Sequence, residues 1–233
     1  MYELNYGEIS GYVLERSQLH KVVEKELWLF GESYNGTPNI LWSDNKLLKI
    51  FEDLRKQYMG YAPTKDDENY VKVDGEGLNN ITDLFFTNEK PMDNGSREFM
   101  IVELKAPRCK ISSKEISQIE KYAYAVESSS SIPKQNAKYK LILIAADITP
   151  QAKSKIKSVS EAYHTPFLLE KKLDIDIEIY LMTWAELINM QRAKLNYLSK
   201  HLKIKDKSVK QKFEEEYPNL INQKMRTMLK KIA

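Results

Sequence analysis

In the stretch ITDLFFTNEKPMDNGSREFMIVELKAPRCK, residues 81–110, two short apolar runs are interrupted by ions: Asp83 in the first, Glu103 and Lys105 in the second. A strand committed to an interior does not carry charge toward its neighbours without cost. Side chains two apart on a strand share a face, so Glu103 and Lys105 are neighbours while Val102 and Leu104 turn to the other side. With Asp83 across from them on a paired strand, two carboxylates and one ammonium converge on a small volume. Converging carboxylates repel unless a cation intervenes, and oxygen ligands from two acids, completed by water and a phosphate, suit Mg²⁺. The spacing therefore predicts a magnesium site. It leaves open a buried ion pair, Glu103 with Lys105 or Asp83 with Lys105, of no chemical consequence.

The element that follows bears on this choice. SSKEISQIEKYAYAVESS offers Ser112 and Ser113 as N-caps for a helix over 114–127, with Ile116, Ile119, Ala123 and Val126 as its apolar face. Gln118 and Tyr122, four apart, stand together at the edge of that face. A glutamine held there orients a water or a phosphate oxygen, and a tyrosine stacks or donates a hydrogen bond. Ordinary boundary residues are the alternative reading of this pair.

An Asp on one strand, Glu-x-Lys on the next and Gln-x-x-x-Tyr on the following helix resembles the PD-(D/E)XK nuclease superfamily. More narrowly, VELKAP followed by QIEKYAYAV is similar to the nuclease domain of the Shedu anti-phage defence family. The resemblance covers roughly residues 12–190 and is strongest over 81–126. It departs from the superfamily in having Thr82, where a proline often precedes the metal-binding Asp. The resemblance implies a restriction-endonuclease-like core and Mg²⁺- or Mn²⁺-dependent hydrolysis of DNA phosphodiester bonds, with double-stranded DNA as partner, in bacterial anti-phage defence. It implies Asp83 and Glu103 as metal ligands, Lys105 as the stabiliser of transition-state charge or the base, and Gln118 and Tyr122 as further catalytic residues, Gln118 positioning water or phosphate. Many relatives add an acid from the first helix. By helical angle Glu15 and Glu26 both project beside Leu19, Val22 and Leu29, and Glu15 is the better match. A helix-end salt bridge accounts for either acid equally well.

Around these residues, periodicity predicts a long helix over 14–30 ending at Gly31 and a helix over 45–59. It further predicts a buried strand at KYKLILIAAD (138–147), a proline-started helix at TPQAKSKIKSVSEAY, a strand at IDIEIYLMTW (175–184) and helices thereafter, broken near Tyr217 and Pro218. Pro91 and DNG between the two charged strands predict an antiparallel hairpin. The crossover through the 114–127 helix predicts that 138–147 runs parallel to the Glu103 strand. The expected class is α/β, a central mixed sheet flanked by helices over residues 1–190, with a basic helical extension over 191–233.

The extension carries 12 Lys or Arg against 4 Asp or Glu, a local +8 that leaves the first 190 residues at −5. Such a tail attracts a polyanion, or is a solvated face of ordinary helices. The single cysteine, Cys109, excludes an intramolecular disulfide framework. No run approaches the ~20 apolar residues that span a bilayer, and MYELNYGEIS lacks the features of a signal peptide, so a soluble cytoplasmic protein with no membrane partner is expected. His20 and His164 have no zinc-site spacing, and Arg108 and Lys110 are candidate backbone contacts or solvated loop residues. Two other functions compete with catalysis. One is a nuclease-fold module that binds nucleic acid or assembles a larger defence complex, and FEEEYPNLINQKMRTMLKKIA is suited to forming a homodimer or homotetramer. The other is a structural ion-pair cluster in an unrelated α/β protein. If the tail contacts nucleic acid, deleting it weakens DNA binding and flattens the dependence of log affinity on log salt; an unchanged slope assigns it to oligomerisation.

Overall fold

The computed structural model of the 233-residue chain describes residues 5–7, 10, 18–31, 41–59, 72–73, 76–77, 81–88, 97–129 and 132–202. In chain order the elements are α1 (His20–Lys25), a 3₁₀ turn (Leu27–Phe30), β1 (Leu41–Lys46), α2 (Leu47–Met59), β2 (Lys72–Val73), β3 (Glu76–Gly77), β4 (Ile81–Asn88), β5 (Arg97–Leu104) and β6 (Lys110–Ile111). They continue with α3 (Ser113–Ser128), β7 (Ala137–Ala145), β8 (Asp147–Ile148), α4 (Pro150–Ala162), β9 (Leu168–Lys172), β10 (Ile177–Thr183) and α5 (Trp184–Leu202).

Six strands form one mixed sheet in the order β1-β4-β5-β7-β10-β9. β4 and β5 are antiparallel, with Leu84 opposite Val102, while β7 lies parallel to both β5 and β10. The hairpin and the parallel crossover thus follow the sequence expectation. β5 and β7 are central, and from Glu98 to Leu104 every β5 residue is buried, which is why both faces of this strand read as apolar. Phe99 and Ile101 turn to one face, with Tyr139, Leu141 and Leu143 of β7, beneath Phe51 of α2, Ile119 of α3 and Ile156 of α4. Met100, Val102 and Leu104 turn to the other, with Ile142 and Ile144, against Val22 and Val23 of α1 and Trp184 and Leu187 of α5. The chain is an α/β protein with helices on both faces of a central mixed sheet. Among the described residues no helix is long and apolar enough to cross a membrane.

Several elements differ from the expectation, among them the strands β1, β2, β3, β6 and β8, which the sequence reading did not include. The predicted helix over 14–30 is, within its described part, a short α-helix and a 3₁₀ turn parted at Glu26, whose φ −114° and ψ 41° leave the helical region. The cause is in LWLF: four large apolar residues in succession cannot share one face of an α-helix. The tighter turn lets Leu29 enter the core while Leu27, Trp28 and Phe30 pack at its margin. Gly31, at φ 147° and ψ 151°, ends it in a conformation only glycine adopts readily. Asn45 and Lys46 belong to β1, and α2 begins at Leu47. Pairing with β4, and the edge-on contact of Trp42 with Phe85 at 5.6 Å, favour the extended form there. β9 has no counterpart in the sequence reading. α5 runs unbroken through residues 190 and 191, and buried Gln191 donates from Nε2 to the Leu29 carbonyl at 2.9 Å. A deletion that keeps this bond therefore starts after Gln191, and one that keeps α5 whole starts after Leu202.

The α1/α5 face also carries a charged lattice that sequence reading did not single out. Glu98 meets Lys140 at 2.7 Å, and Glu178 meets Lys171 at 2.8 Å and Lys138 at 2.9 Å, while the Tyr180 hydroxyl donates to Glu178 at 2.6 Å. Burial alone would push the Glu178 carboxyl up; the bonds from Lys171, Tyr180 and Lys138 outweigh it and bring the carboxyl down to about 2. A carboxyl lowered on folding contributes stability above its unfolded pKa and loses it as pH falls through the folded value, here from about 4.5 toward 2. Glu178→Gln should lower stability at pH 7 by on the order of 2 kcal/mol and flatten the acid limb of a urea-unfolding series across that window. An unchanged limb would mean that Glu178 is not a stabilising ion.

Candidate active site

Glu103 and Lys105 lie where β5 ends, at the carboxyl end of the parallel strands, and the Lys105 N–H continues the ladder by donating to the Ile144 carbonyl at 2.9 Å. Glu103 shares the face of Phe99 and Ile101, the face that α3 covers. α3 is started by a capping box: the Ser112 N–H donates to Glu115 at 2.9 Å and Ser112 Oγ accepts from the Lys114 N–H at 3.3 Å. Burial offers the Glu115 carboxyl no help, but the Ser112 hydroxyl and N–H hold it below its ordinary value. With its start fixed in this way and Ile116, Ile119, Ala123 and Val126 packed on the sheet, α3 presents Gln118 and Tyr122 to Glu103 one turn apart.

The four side chains are joined in one hydrogen-bonded network. Lys105 Nζ donates to Glu103 Oε1 at 2.6 Å and to Gln118 Oε1 at 2.9 Å. Gln118 Nε2 donates to Glu103 Oε1 at 2.6 Å and to the Tyr122 hydroxyl at 3.1 Å, and that hydroxyl donates to Glu103 Oε2 at 3.2 Å. Tyr122 is wholly buried, the Glu103 side chain is 4% exposed and that of Lys105 15%. Tyr122 is not the edge residue the sequence predicted: it is part of the core, with its hydroxyl turned into the site.

Asp83 stands on β4 one position beyond the Leu84–Val102 pair, so extending that register by one residue sets it across from Glu103. The side chain of Asp83, and Glu15 altogether, lie outside the described residues. Glu26 is corrected: it is not on a continuous helix but at the break, where it accepts from Trp28 Nε1. Among the described residues no group of three or more His, Cys, Asp or Glu could hold a metal, and of the three expected ligands only Glu103 has a described side chain. Arg108 is exposed, and Lys110 pairs with Asp147 at 3.0 Å, as does Lys153 at 3.3 Å. Bonds from Lys110 first, then from the Ile148 N–H and Lys153, hold Asp147 down to about 2. Cys109 is a partly buried thiol whose Sγ lies 3.7 Å from the Lys110 carbonyl, His20 is buried and His164 is exposed.

Sequence reasoning missed Tyr6, whose hydroxyl donates to the Ala146 carbonyl at 3.1 Å and accepts the Ala185 N–H at 2.8 Å. It ties the end of β7 to the start of α5, and no local spacing announces a contact between residues so distant in the chain. Comparison with family models, with curated proteins and with solved structures finds no match for this chain.

The network is testable as a unit. Glu103→Ala takes the carboxylate from a partly buried ammonium and a buried phenol and should cost about 3 kcal/mol of unfolding free energy, whereas Glu103→Leu combined with Lys105→Met should recover much of that loss. Simple additivity of the single variants in a double-mutant cycle would show that the two residues do not act through one another.

Proposed function

We propose that this protein is a divalent-metal-dependent nuclease of the PD-(D/E)XK type, hydrolysing DNA phosphodiester bonds, with a place in bacterial anti-phage defence. The observation that carries the reading is the convergence of Glu103, Lys105, Gln118 and Tyr122, from one strand end and one helix, on contacts of 3.2 Å or less. A carboxylate and an amide oxygen, with a second acid at the register position across from Glu103, are hard oxygen donors of the kind that Mg²⁺ or Mn²⁺ takes, so the donor chemistry fits. Asp83 and Glu103 would hold the ion, with Glu15 as a further ligand. A bound ion would polarise the phosphate and lower the pKa of the attacking water. Lys105 would neutralise charge that develops on the phosphate in the transition state. Gln118, bonded through both ends of its amide, would hold water or a phosphate oxygen in register, and Tyr122 would keep the Glu103 carboxylate oriented. The basic tail would add long-range attraction for double-stranded DNA, and a homo-oligomer would bring two such sites to one duplex.

One observation favours a second reading, a nuclease-fold module without catalysis that binds nucleic acid or assembles a larger complex. Glu103 is already engaged by Lys105, as a structural ion pair would be. A plasmid-cleavage assay separates the two. In Mg²⁺ the wild type should cleave, and Lys105→Ala should cleave slower by about 10² or more while DNA binding changes little, as for an interaction made chiefly in the transition state. Lys105→Arg should restore only part of the rate, because a guanidinium is larger and stays protonated. Asp83→Ala should lose Mg²⁺ binding out of proportion to any loss of stability. Metal-dependent cleavage by Lys105→Ala at the wild-type rate would sink the assignment of the lysine, and no cleavage by the wild type would favour the non-catalytic module.

A further inference from the structure

The Glu103 carboxylate is engaged on both oxygens. Its Oε1 accepts from Lys105 Nζ and from Gln118 Nε2, each at 2.6 Å, and a carboxylate oxygen has about two lone pairs to offer. Its Oε2 accepts from Tyr122, and the amide oxygen of Gln118 is itself taken by Lys105 at 2.9 Å. The lysine ammonium therefore holds two hard oxygens at once, one from β5 and one from α3. The partners differ in their freedom to leave. Tyr122 is fixed in the core, and Gln118 is tied at both ends of its amide, whereas Lys105 reaches the site on a flexible four-carbon chain and is the more exposed member of the ion pair.

We propose that Lys105 is a built-in competitor of the divalent cation. Its ammonium holds Glu103 Oε1 and Gln118 Oε1 in the resting protein, a cation can take Glu103 Oε1 only as that ammonium withdraws, and the released lysine turns toward the substrate. Loading the cation and presenting the lysine are then one event, which keeps the ammonium away from a phosphate until the site is charged. Gln118 Oε1, freed by the same movement, becomes a further oxygen ligand. This rests on the metal-dependent reading above and adds to it an exclusion between two cations of this site.

The exclusion is read by binding and by stability without any activity assay. Calorimetric titration of Mg²⁺ into wild type and Lys105→Met should show the variant binding about tenfold more tightly, a coupling of ordinary size for two linked sites. Direct competition for an oxygen persists at high salt, whereas relief of long-range repulsion is screened, so the advantage should be as large in about 0.5 M KCl as in dilute buffer. In thermal melts, the variant should be less stable than wild type without metal, and saturating Mg²⁺ should close the gap. Lys105→Gln, which leaves Glu103 a neutral donor, gives the same comparison should the methionine variant not fold. Equal or weaker Mg²⁺ binding by the variants, beside a wild type that binds, overturns the proposal and leaves the nuclease reading standing, as does an advantage that disappears in high salt. Binding by the variant alone would uphold the lysine as occupant and remove the metal-dependent reading of the wild type. Binding by neither removes both.

Discussion

A carboxylate buried in a central strand sets the condition that the surrounding elements meet. An ion withdrawn from water costs several kcal/mol unless other charges and donors replace its hydration. Glu103 stands on β5 between β4 and β7 with α3 above it, and each neighbour supplies part of that replacement: Lys105 from its own strand, Gln118 and Tyr122 from consecutive turns of the helix. The requirement propagates outward. Gln118 and Tyr122 arrive only if α3 starts at Ser112 and lies flat on the sheet, and it lies flat because Ile116, Ile119, Ala123 and Val126 fill the space over β5 and β7. The same helix is tied sideways to α4 by the Glu120–Lys155 pair at 3.0 Å, a surface contact worth little energetically but consistent in direction with the packing.

The two faces of the sheet answer the problem of charge in different ways. On the α1/α5 face, Glu98 is met by Lys140, and Glu178 by Lys138, Lys171 and the Tyr180 hydroxyl; the lysines remain partly in water, and the charges alternate across β5, β7, β10 and β9 like the pairs of an ordinary sheet surface. On the α3 face, one carboxylate is met by an ammonium, an amide and a phenol, three donors of different chemistry and different freedom to move. A lattice of the first kind stabilises strands. A cluster of the second kind, at the carboxyl end of parallel strands where open α/β sheets receive ligands, has the composition of a site that changes partners. That contrast within one sheet is the physical ground on which the proposed chemistry is placed at Glu103 and not at Glu178.

The chain's own sequence determined the elements whose registration is local. The runs at 97–104, 113–128, 137–145 and 177–183 were legible because a strand buried on both faces must be apolar throughout and a capped amphipathic helix must repeat its apolar face. The adjacency of Glu103 and Lys105, and of Gln118 and Tyr122, follows from spacings of two and four, which strand and helix geometry convert directly into proximity. Tertiary structure decided what depends on a distant partner. β1 is extended because β4 is beside it, β9 forms on β10, and Glu26 breaks a helical pattern because four consecutive large side chains must be shared between the core and its margin. The depth of Tyr122, the contact of Tyr6 with two element ends and the lattice about Glu178 likewise required knowing which strands become neighbours. Periodicity encodes which face a residue takes; only chain topology encodes what that face will meet.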